Sequence, residues 1–279
     1  QCSFSDLGFS NEDLRRWQEM IKQPNGIILV TGPTGSGKTT TLYSTLKELA
    51  TSEVNVSTIE DPIEMVEPAF NQMQIQHAID LDFATGIKAL MRQDPDIIMI
   101  GEIRDLETAE MATQAALTGH LVISTLHTND APSAITRLME LGIPPYLIRA
   151  TVLGVMAQRL IRTLCPACKT PVKIDNSDWQ MLTKPWTTPP PQNAHQPVGC
   201  LECRDTGYKG RAGVYEIMPL SDSIKTHIQE QGNISEIRTQ AIKEGMHSLR
   251  LSGANKVANG QTTIDEVLRV TPVSLSSIS

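Results

Sequence analysis

The chain has 279 residues, of which 40% are hydrophobic and 20% are charged, and its formal net charge is −7. This is the composition of a globular protein with one large or two ordinary domains, and its acidic balance argues against a general nucleic-acid-binding protein, although a local basic patch is compatible with it. No apolar run approaches the ~20 residues that span a bilayer, and no signal-peptide pattern opens the sequence, so we expect a cytoplasmic location.

The first predicted elements surround a glycine-rich loop. Residues 11–21 have apolar side chains at helical spacing, which predicts a helix over a sheet edge. Residues 26–31 are a continuous apolar run typical of a buried strand, and residues 40–50 predict a helix. Between strand and helix lie Gly32, Pro33, Thr34, Gly35, Ser36, Gly37, Lys38 and Thr39.

This loop has the residue types that bind a polyphosphate. Glycines let backbone N–H groups approach the phosphates, and the following helix directs its N-terminal dipole at the same anion. Lys38 supplies a charge for the β- and γ-phosphates, and the hydroxyl of Thr39 suits one Mg²⁺ coordination position. The alternative is a glycine-rich turn that only packs. We predict nucleotide binding by the loop and by Thr40 after it.

Acidic residues follow the next predicted strand, at residues 54–59. They are Glu60, Asp61 and Glu64. In open α/β sheets, ligands lie beyond the carboxyl ends of the strands, where such acids reach a metal ion or a water molecule. A solvated turn started by Asp61 and Pro62 is the competing interpretation.

A second acid follows a later strand. Residues 83–92 predict a helix, and residues 96–102 predict a nearly continuous apolar strand that ends in Gly101 and Glu102. P-loop enzymes place a carboxylate at this point to hold Mg²⁺ or to polarise water. The usual residue there is an aspartate directly at the strand end, so the Gly–Glu order favours Glu102 as a water-activating base.

Two histidines bracket the strand predicted within residues 119–129, after a helix at 106–117. A lone histidine is more often a packing residue, but His120 and His127 next to threonines favour a γ-phosphate sensor. Residues 131–141 and 145–162 predict further helices. The alternation of strands and helices predicts a doubly wound, mostly parallel α/β sheet with helices on both faces.

The cysteines form two C-x-x-C pairs. They are Cys165 with Cys168, and Cys200 with Cys203. Four thiolates make a closed structural zinc site, and a redox dithiol is the alternative. Cys2 is expected to be incidental. The remainder predicts a strand at 213–218 and packing helices at 221–231, 234–244, 248–259 and 263–269.

Together these motifs resemble the secretion ATPase superfamily of type II secretion and type IV pilus assembly. The loop at 32–39 is similar to its Walker A motif, residues 60–64 to its "Asp box", and residues 119–129 to its "His box". Residues 92–105 resemble its atypical Walker B region, in which Gly–Glu is normal, so the resemblance supports Glu102 as catalytic. Residues 158–162 lead, as in the family, into the tetracysteine module.

The resemblance implies a P-loop (RecA-like) fold and the hydrolysis of ATP with Mg²⁺. Lys38 and Thr39 would hold the phosphates and the ion, and Glu102 would activate the water. The implied metal and water shell includes Glu60, Asp61 and Glu64, and the implied γ-phosphate sensors are His120 and His127.

The resemblance also implies a homohexamer that docks on inner-membrane platform proteins and meets the membrane only through them. Retraction ATPases of this family lack the cysteines, which favours assembly, with type II secretion first and type IV pilus extension second. A hexameric nucleic-acid motor is the less favoured alternative, and a nucleotide-binding scaffold without catalysis is another. The ion implied for the four paired cysteines is Zn²⁺.

The sequence begins at Gln1, and the family has a domain ahead of this core, so we expect a fragment of a longer protein. The predicted domains are 1–25 as an entry linker and helix, 26–162 as the ATPase core, 163–212 as the zinc module, 213–270 as a helical subdomain and 271–279 as a disordered tail.

Overall fold

The computed structural model describes residues 4–271. Cys2 and all but the first residue of the predicted disordered tail lie outside this part of the chain. Within it, Thr271 is buried, and its hydroxyl donates to the Val267 carbonyl.

Nine strands form two sheets within residues 4–271. They are β1 (Gly26–Thr31), β2 (Val56–Glu60), β3 (Asn71–Gln74), β4 (Ile97–Ile100), β5 (Leu121–Leu126), β6 (Val152–Leu164), β7 (Thr170–Pro171), β8 (His195–Gln196) and β9 (Tyr208–Pro219). The main sheet has the order β3-β2-β4-β5-β1-β6-β9, and β7 pairs with β8. All neighbours in the main sheet are parallel except β6 and β9. The predicted α/β class with a mostly parallel sheet is thus confirmed.

Helices cover both faces of this sheet. They are α1 (Asn11–Ile21), α2 (Lys38–Leu49), α3 (Phe83–Met91), α4 (Leu106–Leu117), α5 (Ala131–Leu141), α6 (Pro145–Thr151), α7 (Asn176–Thr183), α8 (Asp222–Lys225), α9 (Ile234–Lys243), α10 (Leu249–Ala258) and α11 (Ile264–Val270). Short 3₁₀ helices occupy Phe4–Leu7 and His77–Ile79. No helix in the described residues is long and apolar enough to cross a membrane.

The strand β1 lies inside the sheet, between β5 and β6, and is buried along its whole length. Its alternate side chains enter two cores. Leu29 packs in the larger core with α3, α4 and α5, whereas Val30 packs in the other with Trp17 of α1 and Leu46 of α2. Burial on both faces explains why the segment is a continuous apolar run without alternation.

The prediction of a helix over residues 145–162 is wrong for the second half of that range. The helix α6 ends at Thr151, and the chain continues at once as β6, which lies between β1 and β9. Because β6 is buried on both faces over most of its length, its apolar pattern does not distinguish strand from helix. At Gly154 a Cβ would lie 2.5 Å from the end of the Met20 side chain, so a larger residue there would require Met20 of α1 to move.

Other differences are local. The polar strand β3 was not predicted, nor were α7 and the β7–β8 pair, and the predicted helix at 221–231 is reduced to the short α8. The predicted domain boundaries at 162 and 212 fall inside β6 and β9, which pair with each other. The segments predicted as core, cysteine module and helical subdomain therefore share one continuous sheet.

A buried carboxylate joins α11 to β6. Glu266, 2% exposed, accepts hydrogen bonds from Arg162 at 3.0 Å and Arg269 at 2.7 Å. Burial alone raises the pKa of Glu266, but the bonds from Arg269 and Arg162 outweigh it and lower the pKa from 4.5 to about 2. Because the pKa is lower in the folded state, this ion pair stabilises the fold above about pH 4.5 and loses that effect as the pH falls toward 2.

We predict that Glu266→Gln lowers the free energy of unfolding by about 1–2 kcal/mol at pH 7, after allowance for the half-exposed arginines. The difference from wild type should stay constant from about pH 7 to about pH 5 and shrink as the pH falls from about 4.5 toward 2. Urea unfolding followed by circular dichroism measures the free energy of unfolding of both proteins. Glu110→Gln, on the exposed side of α4, is the matched control. A difference independent of pH would assign the effect to packing instead of charge.

Candidate functional site

The loop between β1 and α2 forms one wall of a cleft of about 480 Å³. Two of its glycines are needed for space. A Cβ on Gly32 would lie 2.7 Å from the Gln158 carbonyl oxygen. Gly37 has φ of 88°, and a Cβ there would lie 2.8 Å from the Gln158 amide nitrogen. The loop is therefore pressed against β6, and its residues 34–39 line the cleft.

Lys38 is the first residue of α2 and lies over this loop. Its ammonium group donates to the carbonyl of Gly32 at 2.6 Å and lies 3.2 Å from Nδ1 of His127. Burial lowers the pKa of Lys38 from 10.5 to about 8, against the opposing charge of Glu102 and with a smaller lowering from Arg159. An anion in the cleft would therefore interact with a partly desolvated positive charge.

Glu102 follows β4 and reaches the same cleft. Thr125 near the end of β5 donates to the Gly101 carbonyl at 2.6 Å and so holds the turn that carries the carboxylate. One oxygen of Glu102 accepts from Arg104 at 3.1 Å, and the other lies 3.2 Å from Nε2 of His127. His127 thus bridges Glu102 and Lys38.

The acidic loop after β2 forms the opposite wall. Glu60 lines the cleft together with Asp61 and Glu64, and Asp61 lies 3.2 Å from Nε2 of His77. Glu60 differs from them because it is 5% exposed and its carboxylate accepts a hydrogen bond from Tyr43 at 2.5 Å. The structure therefore brings the three predicted acids to one loop but exposes them unequally.

His120 does not lie in the cleft, which corrects its prediction as a γ-phosphate sensor. It precedes β5, whereas His127 follows it, and six extended residues separate the two by about 20 Å. His120 is buried at the amino ends of the strands, where its Nδ1 lies 2.6 Å from the Pro95 carbonyl oxygen. His120 is a packing histidine, which is the alternative that the sequence left open.

The four paired cysteines converge into one cluster. Their Sγ atoms all lie within 4.8 Å of one another, and Cys165 and Cys200 are 3.8 Å apart. Tetrahedral zinc with Zn–S bonds of ~2.3 Å requires sulfur atoms about 3.8 Å apart, whereas a disulfide requires about 2.05 Å. Cys203 also accepts the N–H groups of Cys200 and Gly207 at 3.2 Å each. The donor set fits a closed metal site.

Two neighbouring residues of β6 that were not predicted as site residues support the cleft. Gln158 of β6 is buried and donates to the Gly37 carbonyl at 3.3 Å. Arg159 donates to the carbonyls of Gln158 and Asn129. A strand prediction over 152–164 would have placed both beside the phosphate loop, because β6 pairs with β1.

The sequence has many similar proteins of known name. It is 58% identical over 272 residues to the type IV pilus assembly ATPase TfpB of Acinetobacter baylyi, a match covering 98% of this chain and 46% of TfpB. It is 49% identical over 271 residues to type II secretion system protein E of Pseudomonas aeruginosa, covering 97% of this chain and 53% of that protein. The chain spans about half the length of these relatives.

Solved structures agree with this relationship. The pilus retraction motor PilT with bound ADP superposes with a TM-score of 0.71 at 27% identity, covering 99% of this chain and 68% of that one. The sequence model of the family described as Type II/IV secretion system protein matches residues 1–269. Because this match covers nearly the whole sequence, the chain belongs to the Type II/IV secretion system protein family.

Proposed function

We propose that this chain is the catalytic part of an ATP-hydrolysing motor that drives the assembly of a pilin-like filament. The observation that carries the proposal is the meeting of Lys38, Glu102 and His127 in one cleft with the phosphate loop. A scaffold that only binds nucleotide has no need for a carboxylate placed this way. The family membership and the ADP-bound structural relative support the same activity.

In this proposal the residues Gly32 to Thr40 bind the phosphates, with Lys38 at the β- and γ-phosphates. Thr39 and the cleft-facing acids Asp61 and Glu64 are suited to hold Mg²⁺, which supplies neutralisation of phosphate charge. Glu102 accepts a proton from, or orients, the attacking water. Phosphoryl transfer depends mainly on positioning and charge, so this set of groups is sufficient.

His127 is proposed as the residue that senses the γ-phosphate. It contacts both Lys38 and Glu102. A phosphate that draws Lys38 away would also break its contact with the histidine. The change at Lys38 would thereby reach the carboxylate of Glu102 through one side chain.

The filament that this motor serves is proposed from its relatives. The 58% identity to TfpB favours type IV pilus assembly, and the 49% identity to a type II secretion protein E makes type II secretion the second candidate. We further propose a homohexamer that binds a platform protein at the cytoplasmic face of the inner membrane. The cluster of Cys165, Cys168, Cys200 and Cys203 is proposed to hold structural Zn²⁺.

Replacing Glu102 tests the enzymatic proposal. Glu102→Gln in the full-length protein should bind ATP within about threefold of wild type and lose turnover by about 100-fold, because the amide cannot accept the proton. Phosphate release and binding of a fluorescent ATP analogue measure the two quantities. Undiminished turnover would remove Glu102 from the mechanism.

Glu102→Gln introduced into the chromosomal gene distinguishes type IV pilus assembly from type II secretion. Loss of surface pili with normal protein secretion supports pilus assembly. Retention of secreted proteins inside cells that still carry pili would favour type II secretion.

The two histidines make a matched pair. His127→Ala should lower turnover by about 10- to 100-fold, because it uncouples Lys38 from Glu102. His120→Asn should lower thermal stability and leave the turnover number within about twofold, because His120 contacts Pro95 far from the cleft. Steady-state kinetics and thermal unfolding separate these effects, and equal kinetic losses would contradict the assignment.

Metal analysis tests the cysteine cluster. We expect about one zinc per chain in full-length protein and its loss in Cys168→Ser, accompanied by a lower unfolding temperature. Cys2→Ser, the matched control, should keep the metal. Metal-free protein with a reversible disulfide would support redox chemistry instead.

A further inference from the structure

A cluster of hydrogen-bonded side chains lies beneath the acidic loop, and none of the proposed chemistry uses it. Its members are Tyr43 of α2, Glu60 at the end of β2 and Gln72 of β3, which we name the Tyr–Glu–Gln cluster. The Tyr43 hydroxyl donates to Glu60 at 2.5 Å, and the Gln72 amide donates to the Tyr43 oxygen at 2.9 Å. Three elements that surround the cleft are thus joined through polar atoms.

Tyr43 connects this cluster to the phosphate-loop helix. It lies four residues after Thr39, so both residues share one face of α2. Its ring is 2% exposed and packs edge-on against Phe70 with ring centroids 5.6 Å apart. Burial and the bond to Glu60 raise the pKa of Tyr43, so the hydroxyl remains a donor at neutral pH.

Glu60 has little capacity left for a metal ion. One carboxylate oxygen accepts from Tyr43, and the other accepts from Thr58 at 2.8 Å and from Gln72 at 3.3 Å. Glu60 lines the cleft together with Asp61 and Glu64, but Glu60 is buried, whereas Asp61 and Glu64 are exposed. A buried carboxylate that is satisfied by fixed donors acts as an anchor for its neighbours.

Gln72 connects the Tyr–Glu–Gln cluster to the acidic loop by hydrogen bonds to the loop backbone. Its amide nitrogen donates to the Met65 carbonyl at 2.9 Å, and its amide oxygen accepts from the Glu67 N–H at 2.8 Å. Gln74, two residues further along the same strand, accepts from the Ile63 N–H at 3.0 Å. The short polar strand β3 therefore supports the acidic loop through side chains on both of its glutamines.

We propose that Tyr43, Glu60 and Gln72 are positioning residues that hold Asp61 and Glu64 at a fixed distance from Thr39, and that Glu60 does not bind the metal. The proposal rests on the proposed Mg-ATP function of the same cleft. It replaces the interpretation of Glu60 as part of the metal and water shell. As a consequence, the hydroxyl of Tyr43, which lies outside the cleft, affects the Mg²⁺ concentration that nucleotide binding in the cleft requires.

The variant Tyr43→Phe tests this, because it keeps the buried ring and removes only the donor. Without Mg²⁺, binding of a fluorescent ATP analogue should stay within about twofold of wild type. The Mg²⁺ concentration that gives half-maximal binding should rise about tenfold, which is the effect of one hydrogen bond to a charged group. Tyr146→Phe, an exposed tyrosine on α6, is the matched control.

A second pair of variants separates positioning from ligation. Glu60→Gln keeps an acceptor for Tyr43 and should change the Mg²⁺ requirement less than about threefold, whereas Glu64→Gln should raise it more than about tenfold. Amide hydrogen exchange across residues 61–70, measured without nucleotide in the full-length protein, should be about tenfold faster in Tyr43→Phe. A loss of stability alone would not change the Mg²⁺ requirement.

Unchanged Mg²⁺ dependence and exchange in Tyr43→Phe would overturn the proposal. An effect of Glu60→Gln as large as that of Glu64→Gln would also overturn it, by assigning Glu60 to the metal. If wild type binds Mg-ATP but releases no phosphate, the motor function fails while the positioning result stands. If wild type turns over and Tyr43→Phe behaves identically, only the positioning proposal fails.

Discussion

The parallel pairing of β1 with both β5 and β6 is the constraint on which the site depends. Thr31 at the end of β1 is in register with Leu126 of β5 and Ala157 of β6. Parallel ladders end at one edge of the sheet, so the residues that follow each strand meet there. The phosphate loop, the acid after β4 and the histidine after β5 come together because these strands are aligned.

The charged side chains of the cleft contact other protein groups, and a bound nucleotide would replace some of these contacts. Lys38 donates to a carbonyl of its own loop, and Glu102 is shared between Arg104 and His127. The lowered pKa of Lys38 reflects burial without a full counter-charge. An anion in the cleft would supply that counter-charge, and the polyphosphate of the proposed ATP is such an anion.

The cysteine cluster is tied to the nucleotide loop through the sheet. Gln158 of β6 supports Gly37, and Cys165 follows directly where the same strand ends. The antiparallel partner β9 begins five residues after Cys203 and returns along β6. A metal bound by the four cysteines would therefore also order the far end of the strand that supports the phosphate loop.

Features that depend on short spacing along the chain could be predicted from the sequence: the loop between β1 and α2, the α/β class and the two cysteine pairs. These features are encoded by neighbours along the chain. The three-dimensional arrangement of the strands places His127 in the cleft and His120 at the opposite ends of the strands, and it brings Tyr43 and Gln72 to Glu60. It also made 152–164 a strand, because burial between β1 and β9, and not local pattern, selects its conformation.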